Sequence, residues 1–481
     1  MHTATERLRH ICSTQCLVLL LTCVSAAAST SETETICQRQ PQLVQQLSAL
    51  RQQHHVPVLQ VVLLDGCAPS GQSRILFGAD AQTPMRWGSI TKTITALTVL
   101  RLVAEQKIQL DAPLRDYVPD HYWHNRWQQQ HPIRVIHLLE LRAGLPDLSG
   151  VEFNSNEPLT TAAAMAINPS QRHVLWPPGL QHAYSNLVPG LTQLLIEQVT
   201  GQSFARVVQE TLFDPWHWPT AGFVPDPDLP GGFREDGVTP IPYWHMTFPA
   251  YGALNASIDE MGQLLEQLAL RQLPVTTMAH LERVHSRLAA PNFVFDYAAG
   301  IYPRVANGQV WQTHGGDADG YRSRLAYLPA HPGRGYVVVI NTDNPALLRR
   351  LERLLQDYLT QDLQLPVLDS ATVSADLARW VGEYYPSSVR FGVQRWQHGE
   401  LPTIQVTRRS HGLAVTRAGR TQRLFPVADG QFRRQGDPVP TVVFFERQGS
   451  TYLQGELGHY VRLDQCPEFM QDNVVCGKAA L

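Results

Sequence analysis

Residues from Ser89 to about Gln106 constrain this chain more than any other stretch. Apolar side chains recur at Ile90, Ile94, Leu97, Leu100, Leu102 and Val103, on most sides of the helix that this spacing predicts. A helix that is apolar nearly all round has to be buried nearly all round, so the rest of the fold must be built around it. One residue in it is at odds with burial. The chain has 39 basic residues, of which 36 are arginine and three are lysine: Lys92, Lys107 and Lys478. Lys92 stands in the first turns of the buried helix, three residues after Ser89 and on the same face. Arginine stays charged in any protein, whereas a buried lysine can lose its proton and act as a base. A serine at a helix start also has unpaired backbone N–H groups and the positive end of the helix dipole beside it.

Length and composition set the bounds. The 481 residues are 43% hydrophobic and 17% charged, which is the composition of a globular chain of about two domains. A formal net charge of −3 gives no reason to expect nucleic acid or an anionic membrane as partner. The N-terminus carries Arg7 and Arg9, the apolar run Leu17-Val18-Leu19-Leu20-Leu21 and a small-residue site at Ala26-Ala27-Ala28, so residues 1–28 are expected to be a signal peptide. Secretion or a periplasmic location follows from it. Leu20-Leu21-Thr22-Cys23 fits a lipid-anchoring site less well, because threonine precedes the cysteine. No later stretch is apolar for long enough to span a bilayer. After the presumed leader four cysteines remain, an even number that suits an oxidising compartment. Local pairing, Cys37 with Cys67 and Cys466 with Cys476, is the favoured arrangement of the three possible.

Two regions of different pattern follow one another. In the first, helices are expected from about 41 to 54, from Ile133 to Arg142, from Leu187 to Thr200, from Ser257 to about Leu270 and from Pro345 to about Thr360. Ser257-Ile258-Asp259-Glu260 is a capping box, which makes Ser257 a cap. Strands are expected at Val56–Leu64, near Arg74–Phe77, and at Gln309–Thr313, Arg322–Leu328 and Tyr336–Asn341, with a turn at Gly315-Gly316. Residues 213–251, rich in Pro, Gly and Trp, read as a long loop at a site mouth. This is an α+β pattern whose antiparallel sheet is flanked by helices and assembled from both ends of the domain. From Leu365-Pro366 the pattern changes. One short helix near Ala375–Trp380 precedes alternating strands at Thr403–Thr407, Leu413–Thr416, Arg423–Val427, Thr441–Arg447 and Tyr460–Leu463, which suggest a small all-β barrel.

Three short motifs carry chemistry. Ser89-x-x-Lys92 pairs a nucleophile with a base that burial can deprotonate. A Ser-x-x-Lys alone is weak, since one or two arise by chance in about this length. Tyr184-Ser185-Asn186 offers a phenol that can shuttle a proton and an amide that can bond both a substrate amide and the lysine. His314-Gly315-Gly316 gives a strand edge that a substrate backbone can approach, and the main-chain N–H of Asp317 could join that of Ser89 around an oxyanion. His121-Tyr122-Trp123-His124 lacks a third metal ligand in sequence, and His54-His55 reads as solvated.

In this order and this wide separation the three motifs resemble those of the penicillin-recognising serine hydrolases, a family of class C β-lactamases, D-Ala-D-Ala carboxypeptidases, D-aminopeptidases and esterases. The resemblance extends to Met85–Leu97, to Ile133–Leu145, to the Trp176-Pro177-Pro178-Gly179 turn, and to His314 through Asn341. The later segment, with Val381-Gly382-Glu383-Tyr384-Tyr385 and Phe425-Pro426-Val427, is similar to a lipocalin-like module carried by many exported relatives. The resemblance implies a hydrolase domain over residues 29–363 and a β-rich module over 364–481. It makes Ser89 the nucleophile, Lys92 the base and Tyr184 the proton shuttle. Asn186, His314, Gly315, Gly316 and Asp317 would contact a small-molecule or peptide substrate. No cofactor and no metal is expected. His314 stands where β-lactamases carry a lysine, and a neutral histidine holds a substrate carboxylate less well. An ester, or an amide next to a D-amino acid, is therefore favoured over a penicillin. The rival expectation is a non-catalytic cell-wall binding protein that retains the fold.

Overall fold

The computed structural model describes residues 38–67, 74–78, 80–290, 293, 295–365, 376–471 and 475–476. The expected leader, with Cys12, Cys16 and Cys23, and also Cys37, lies outside them.

A six-stranded antiparallel sheet forms the frame of the first region. Its strands are β1 (Leu59–Asp65), β2 (Arg74–Phe77), β3 (Tyr302–Ala306), β4 (Gln309–Ala318), β5 (Tyr321–Tyr327) and β6 (Arg334–Ile340), in the order β2-β1-β6-β5-β4-β3. β1 comes from the start of the domain and pairs with β6 from its end, Val62 opposite Val337. Every residue of β1 is buried because helices cover both faces of the sheet. Val61 and Leu63 join Val338 and Ile340 under α1 (Gln40–Gln53) and the C-terminal helix Pro345–Thr360. Val62 and Leu64 point the other way, into the main core. There the helix expected to be central, α2 (Thr91–Ala104), buries eleven of its fourteen residues. It packs with α3 (Leu187–Thr200) and α4 (Ile258–Ala269). Ser257 caps α4 through the expected box with Glu260.

Two expectations are corrected. Gly315 and Gly316 do not form a turn: β4 continues through them, pairing His314 with Leu325, Gly315 with Arg324 and Gly316 with Ser323. The chain reverses only at Gly320, where φ is +85°. The helix expected over Ile133–Arg142 is a single turn, Val135–Leu139. Leu141 takes a left-handed φ of 51°, and the Arg142 N–H reaches back to the His137 carbonyl at 2.7 Å, closing the helix with a Schellman-type end.

The second region is a closed barrel of eight antiparallel strands, β7 (Gly382–Pro386), β8 (Ile404–Arg409), β9 (Gly412–Arg417), β10 (Arg420–Ala428), β11 (Gln431–Arg434), β12 (Val442–Arg447), β13 (Ser450–Gly455) and β14 (Tyr460–Arg462). Closure removes the free strand edges. Tyr384, Val442, Phe444, Leu453 and Tyr460 fill the interior. Their neighbours Tyr385, Val443, Phe445, Tyr452 and Val461 point outward and are also buried. They pack on Trp176, Leu180 and Ala183 of the first region, so one outer wall of the barrel is apolar because it is docked. A disulfide joins Cys466 to Cys476, as expected. Cys67 is also disulfide-bonded. No helix among the described residues is long and apolar enough to cross a membrane.

Phe445→Asp should leave the barrel interior intact while putting an unpaired charge into the docked wall. Scanning calorimetry should then show the single melting transition split in two; one unshifted transition would refute an energetically coupled seam.

Candidate active site

Ser89 lies in a single 3-10 turn, Gly88–Ile90, that runs straight into α2. The turn is pressed against β4. Gly88 has φ +55°, and a Cβ there would lie 2.5 Å from the Asp317 nitrogen. A Cβ on Gly316 would come within 1.9 Å of the Trp87 carbonyl oxygen, and one on Gly315 within 2.5 Å of the Arg324 guanidinium. Ser323 Oγ donates to that same Trp87 carbonyl at 2.9 Å. The glycines in this motif thus have a packing reason: they let the strand lie against the turn that carries Ser89.

Lys92 is 4% exposed. Its Nζ lies 3.1 Å from Ser89 Oγ, 2.7 Å from Asn186 Oδ1 and 2.8 Å from the Tyr251 carbonyl oxygen. It also sits 4.8 Å from the Tyr184 ring centre. Burial pushes the lysine well below its ordinary pKa; the Asp147 charge opposes this and the Arg390 charge adds to it. A neutral amine has two N–H groups and one lone pair. Asn186 Oδ1 and the Tyr251 carbonyl can take both N–H groups, which leaves the lone pair for the Ser89 hydroxyl proton. Tyr184 and Asn186 reach this point on the chain just before α3, which Ser185 Oγ ties down by donating to the Pro146 carbonyl at 2.9 Å. Burial pushes the Tyr184 phenol up, against a hydrogen bond from Ser89 that pulls it down, so the phenol keeps its proton at neutral pH.

His314 is 1% exposed. Its Nδ1 lies 2.7 Å from the Gly315 carbonyl oxygen, and its Nε2 lies 3.0 Å from the Tyr297 hydroxyl. The carbonyl can only accept, which assigns the proton to Nδ1 and leaves Nε2 to accept from tyrosine. Burial lowers the histidine pKa to about 3. The imidazole is therefore neutral.

Four neighbours have no motif of their own in the sequence. Asp147, whose side chain is fully buried, accepts from the Asn186 N–H at 2.5 Å. It follows Gly144-Leu145-Pro146, where Gly144 takes a left-handed φ of 80°. Tyr251 comes from the loop read as a site mouth, and Tyr297 from the segment before β3. Arg390 comes from the barrel. Its guanidinium lies 4.7 Å from the Tyr184 ring centre, and its Nε donates to Asp147 at 2.7 Å. Together with Ser89, Tyr184, Asn186, His314, Gly315, Gly316 and Asp317, three of these, Tyr251, Tyr297 and Arg390, line part of a cavity that also reaches Trp311, Leu348 and Gln356 and measures about 1140 Å³ in all. Asp317 directs its carboxylate to Arg322.

His182, Asp296 and His459, also on the cavity wall, bring three potential metal-ligand atoms within 4.8 Å of one another. Asp296 already pairs with the buried Arg142 and accepts from the Tyr297 N–H at 2.8 Å. Burial lowers the His182 pKa to about 3. Asp296 is thus committed to Arg142, with His459 Nε2 at 3.6 Å, at the seam between sheet and barrel. His121 and His124 are both exposed, away from the cavity.

Residues 43–361 match the family model described as Beta-lactamase. The chain belongs to the Beta-lactamase family. Its relatives in this family include Protein flp of Staphylococcus aureus (strain MRSA252), 25% identical over 289 residues, which are 57% of this chain and 56% of that protein. The chain thus matches little more than half the length of that relative. Among solved structures, SurE with D-Leu aligns over 90% of this chain and 100% of its own, with a TM-score of 0.55 and 20% identity. The octameric penicillin-binding protein homologue from Pyrococcus abyssi aligns over 88% of this chain and 99% of its own, with a TM-score of 0.53 and 19% identity. These alignments extend beyond the Beta-lactamase region into the barrel. The family is one of serine hydrolases acting on small substrates.

Gly316→Ala should force the Ser89 turn away from β4. The expected cost is about 1–3 kcal/mol of stability, read by chemical denaturation, together with slower labelling by a serine-directed fluorophosphonate. Unchanged labelling would refute the packing role of this glycine.

Proposed function

We propose that this Beta-lactamase family protein is an exported serine hydrolase that acts through an acyl-enzyme on an ester, or on an amide next to a D-amino acid. The observation that carries the reading is the buried Lys92 amine, 3.1 Å from Ser89 Oγ and with carbonyl oxygens for both N–H groups of its neutral form. In acylation, Ser89 Oγ attacks the substrate carbonyl while its proton passes to Lys92 Nζ. The N–H groups of Ser89 and Asp317 would stabilise the oxyanion. Collapse breaks the bond to the leaving alcohol or amine, which takes its proton from Lys92 by way of the Tyr184 hydroxyl. Water then attacks the ester on Ser89, with the same lysine and tyrosine accepting its proton; collapse breaks the acyl–Oγ bond, that proton returns to Ser89 Oγ, and the acid is released.

The substrate class rests on His314. A buried neutral imidazole, already bonded at both nitrogens, supplies no cation for the carboxylate of a penicillin. The neighbouring SurE structure, which contains D-Leu, supports a D-amino acid beside the scissile bond. Export rests on the N-terminal residues 1–28. Cleavage just after Ala28 would be checked by N-terminal sequencing of the protein recovered outside the cytoplasm.

Ser89→Ala should abolish labelling by a fluorophosphonate probe, and persistent labelling would sink the assignment. Lys92→Arg should be as inactive as Lys92→Ala, with losses of about 10²–10⁴ in the labelling rate, because guanidinium does not deprotonate. In the parent protein the labelling rate should rise with pH as Lys92 loses its proton. Because burial lowers that pKa, the plateau should come well below the range of an ordinary lysine. Turnover of p-nitrophenyl esters and D-Ala peptides should exceed that of nitrocefin; the reverse order would point to a β-lactamase.

A further inference from the structure

The barrel does more than sit beside the cavity: it holds the segment that carries Tyr184 and Asn186. Gln454 Nε2, on β13, donates to the Leu180 carbonyl at 3.1 Å and to Gln181 Oε1 at 2.9 Å. Ser388 Oγ donates to the His182 carbonyl at 2.7 Å. Two residues further on, Arg390 and Asp147 bond each other in both directions. The Asp147 N–H donates to the Arg390 carbonyl at 3.1 Å, and Arg390 Nε donates to Asp147 Oδ2 at 2.7 Å. The guanidinium lies 4.7 Å from the Tyr184 ring centre and 4.5 Å from that of Phe391, which fixes its place.

Asp147 needs a cation. Its side chain is fully buried, and its carboxylate also accepts from the Asn186 N–H and, at 3.3 Å, from Asn186 Nδ2. A buried carboxylate without a counter-charge is strongly unfavourable. Two cations could serve: Arg390 from the barrel, or Lys92 if it keeps its proton. We propose that Arg390 is a positioning residue, supplied by the barrel to neutralise Asp147 so that Lys92 is left uncharged and Asn186 stays aimed at it. The barrel is on this account a component of the catalytic site. The proposal rests on the serine-hydrolase reading given above. The charges around Lys92 point the same way: burial lowers its pKa most, Asp147 raises it and Arg390 lowers it. The other titratable groups facing the amine are Tyr184 and Tyr251, whose phenols burial keeps protonated, and His314, which is neutral.

The test uses the full chain and reads the second-order rate of fluorophosphonate labelling against pH, beside a thermal melt. Arg390→Ala should slow labelling about ten- to a hundredfold at pH 7. The rising limb should move to higher pH, because Lys92 becomes the counter-ion of Asp147, so the gap to the parent should narrow as pH rises. Arg390→Lys should recover part of the rate. Adding Asp147→Asn to Arg390→Ala should bring the limb back towards its original position, a non-additive result that lost packing alone does not produce. Arg390→Gln carries the same test if the alanine variant unfolds. Parent-like labelling of Arg390→Ala at every pH would overturn the proposal. So would an equal loss at every pH with the limb unmoved, which would make Arg390 a substrate or packing contact. If the parent itself is not labelled, the serine-hydrolase reading fails, and this inference with it.

Discussion

The site depends on an amine held where water cannot solvate its charge. Lys92 sits on a helix that the main core surrounds, with its Nζ between Ser89, Asn186 and the Tyr251 carbonyl. Burial removes the solvation of the ammonium, and the two carbonyl acceptors fix the direction of the free lone pair. Neither condition suffices alone. A buried amine with no acceptors would point anywhere, and acceptors at the surface would hold an ammonium. The rest of the fold supplies these two conditions. The sheet brings β4 against the Ser89 turn, the helices exclude water, and three separate loops deliver Asn186, Tyr251 and Asp147 to one point.

Much of this was legible in the sequence where one local rule decided the outcome. The all-round apolar pattern over Ser89–Gln106 places α2 at the centre, and the capping box at Ser257 starts α4 as expected. Ser89 and Lys92 are close because they share one helical turn. Tyr184, Asn186 and His314 had no such local argument. The family resemblance supplied them, and the structure brings all three around Lys92. The failures are equally physical. Glycine pairs usually break strands, but Gly315-Gly316 continue one, paired with Arg324 and Ser323, and at Gly316 the Trp87 carbonyl leaves no room for a Cβ. The strand Tyr302–Ala306 and the barrel strands Gly382–Pro386, Gln431–Arg434 and Ser450–Gly455 are short and of mixed polarity, so their pattern alone does not separate them from loop. Asp147 and Arg390 could not be found by spacing at all: 243 residues separate them, and only docking of the barrel makes them partners.

The barrel shows how two regions of the chain come to line one cavity. Its interior and one outer wall are both apolar, with Phe444 facing in and Phe445 facing out at consecutive positions of β12. A strand with both faces buried signals packing on both sides. The outer wall meets Trp176, Leu180 and Ala183, which lie just before Tyr184 on the chain. Hydrophobic docking therefore sets where the Tyr184 segment lies, and the polar contacts from Gln454, Ser388 and Arg390 set its orientation. The same division, apolar surface for affinity and polar groups for direction, is found in protein interfaces generally.

The arginine-rich composition makes sense in this light. Three of the protein's buried or nearly buried arginines pair with a carboxylate: Arg142 with Asp296, Arg172 with Glu152 and Arg324 with Glu352. A guanidinium keeps its charge when buried, so each has to be met by a carboxylate or, as at Arg86, by ring faces and a carbonyl oxygen. Lys92 is the reverse case. It is buried, no carboxylate among the described residues pairs with it, and Asp147, whose charge acts on it, is already taken by an arginine. Lys107, the other lysine among the described residues, is exposed and pairs with Glu105. Lysine and arginine are thus sorted by whether the charge has to be kept or lost. An arginine at position 92 would keep its proton and draw Asp147 to itself. On the proposal made above, the pairing of Arg390 with Asp147 and the lowered basicity of Lys92 are two sides of one electrostatic arrangement.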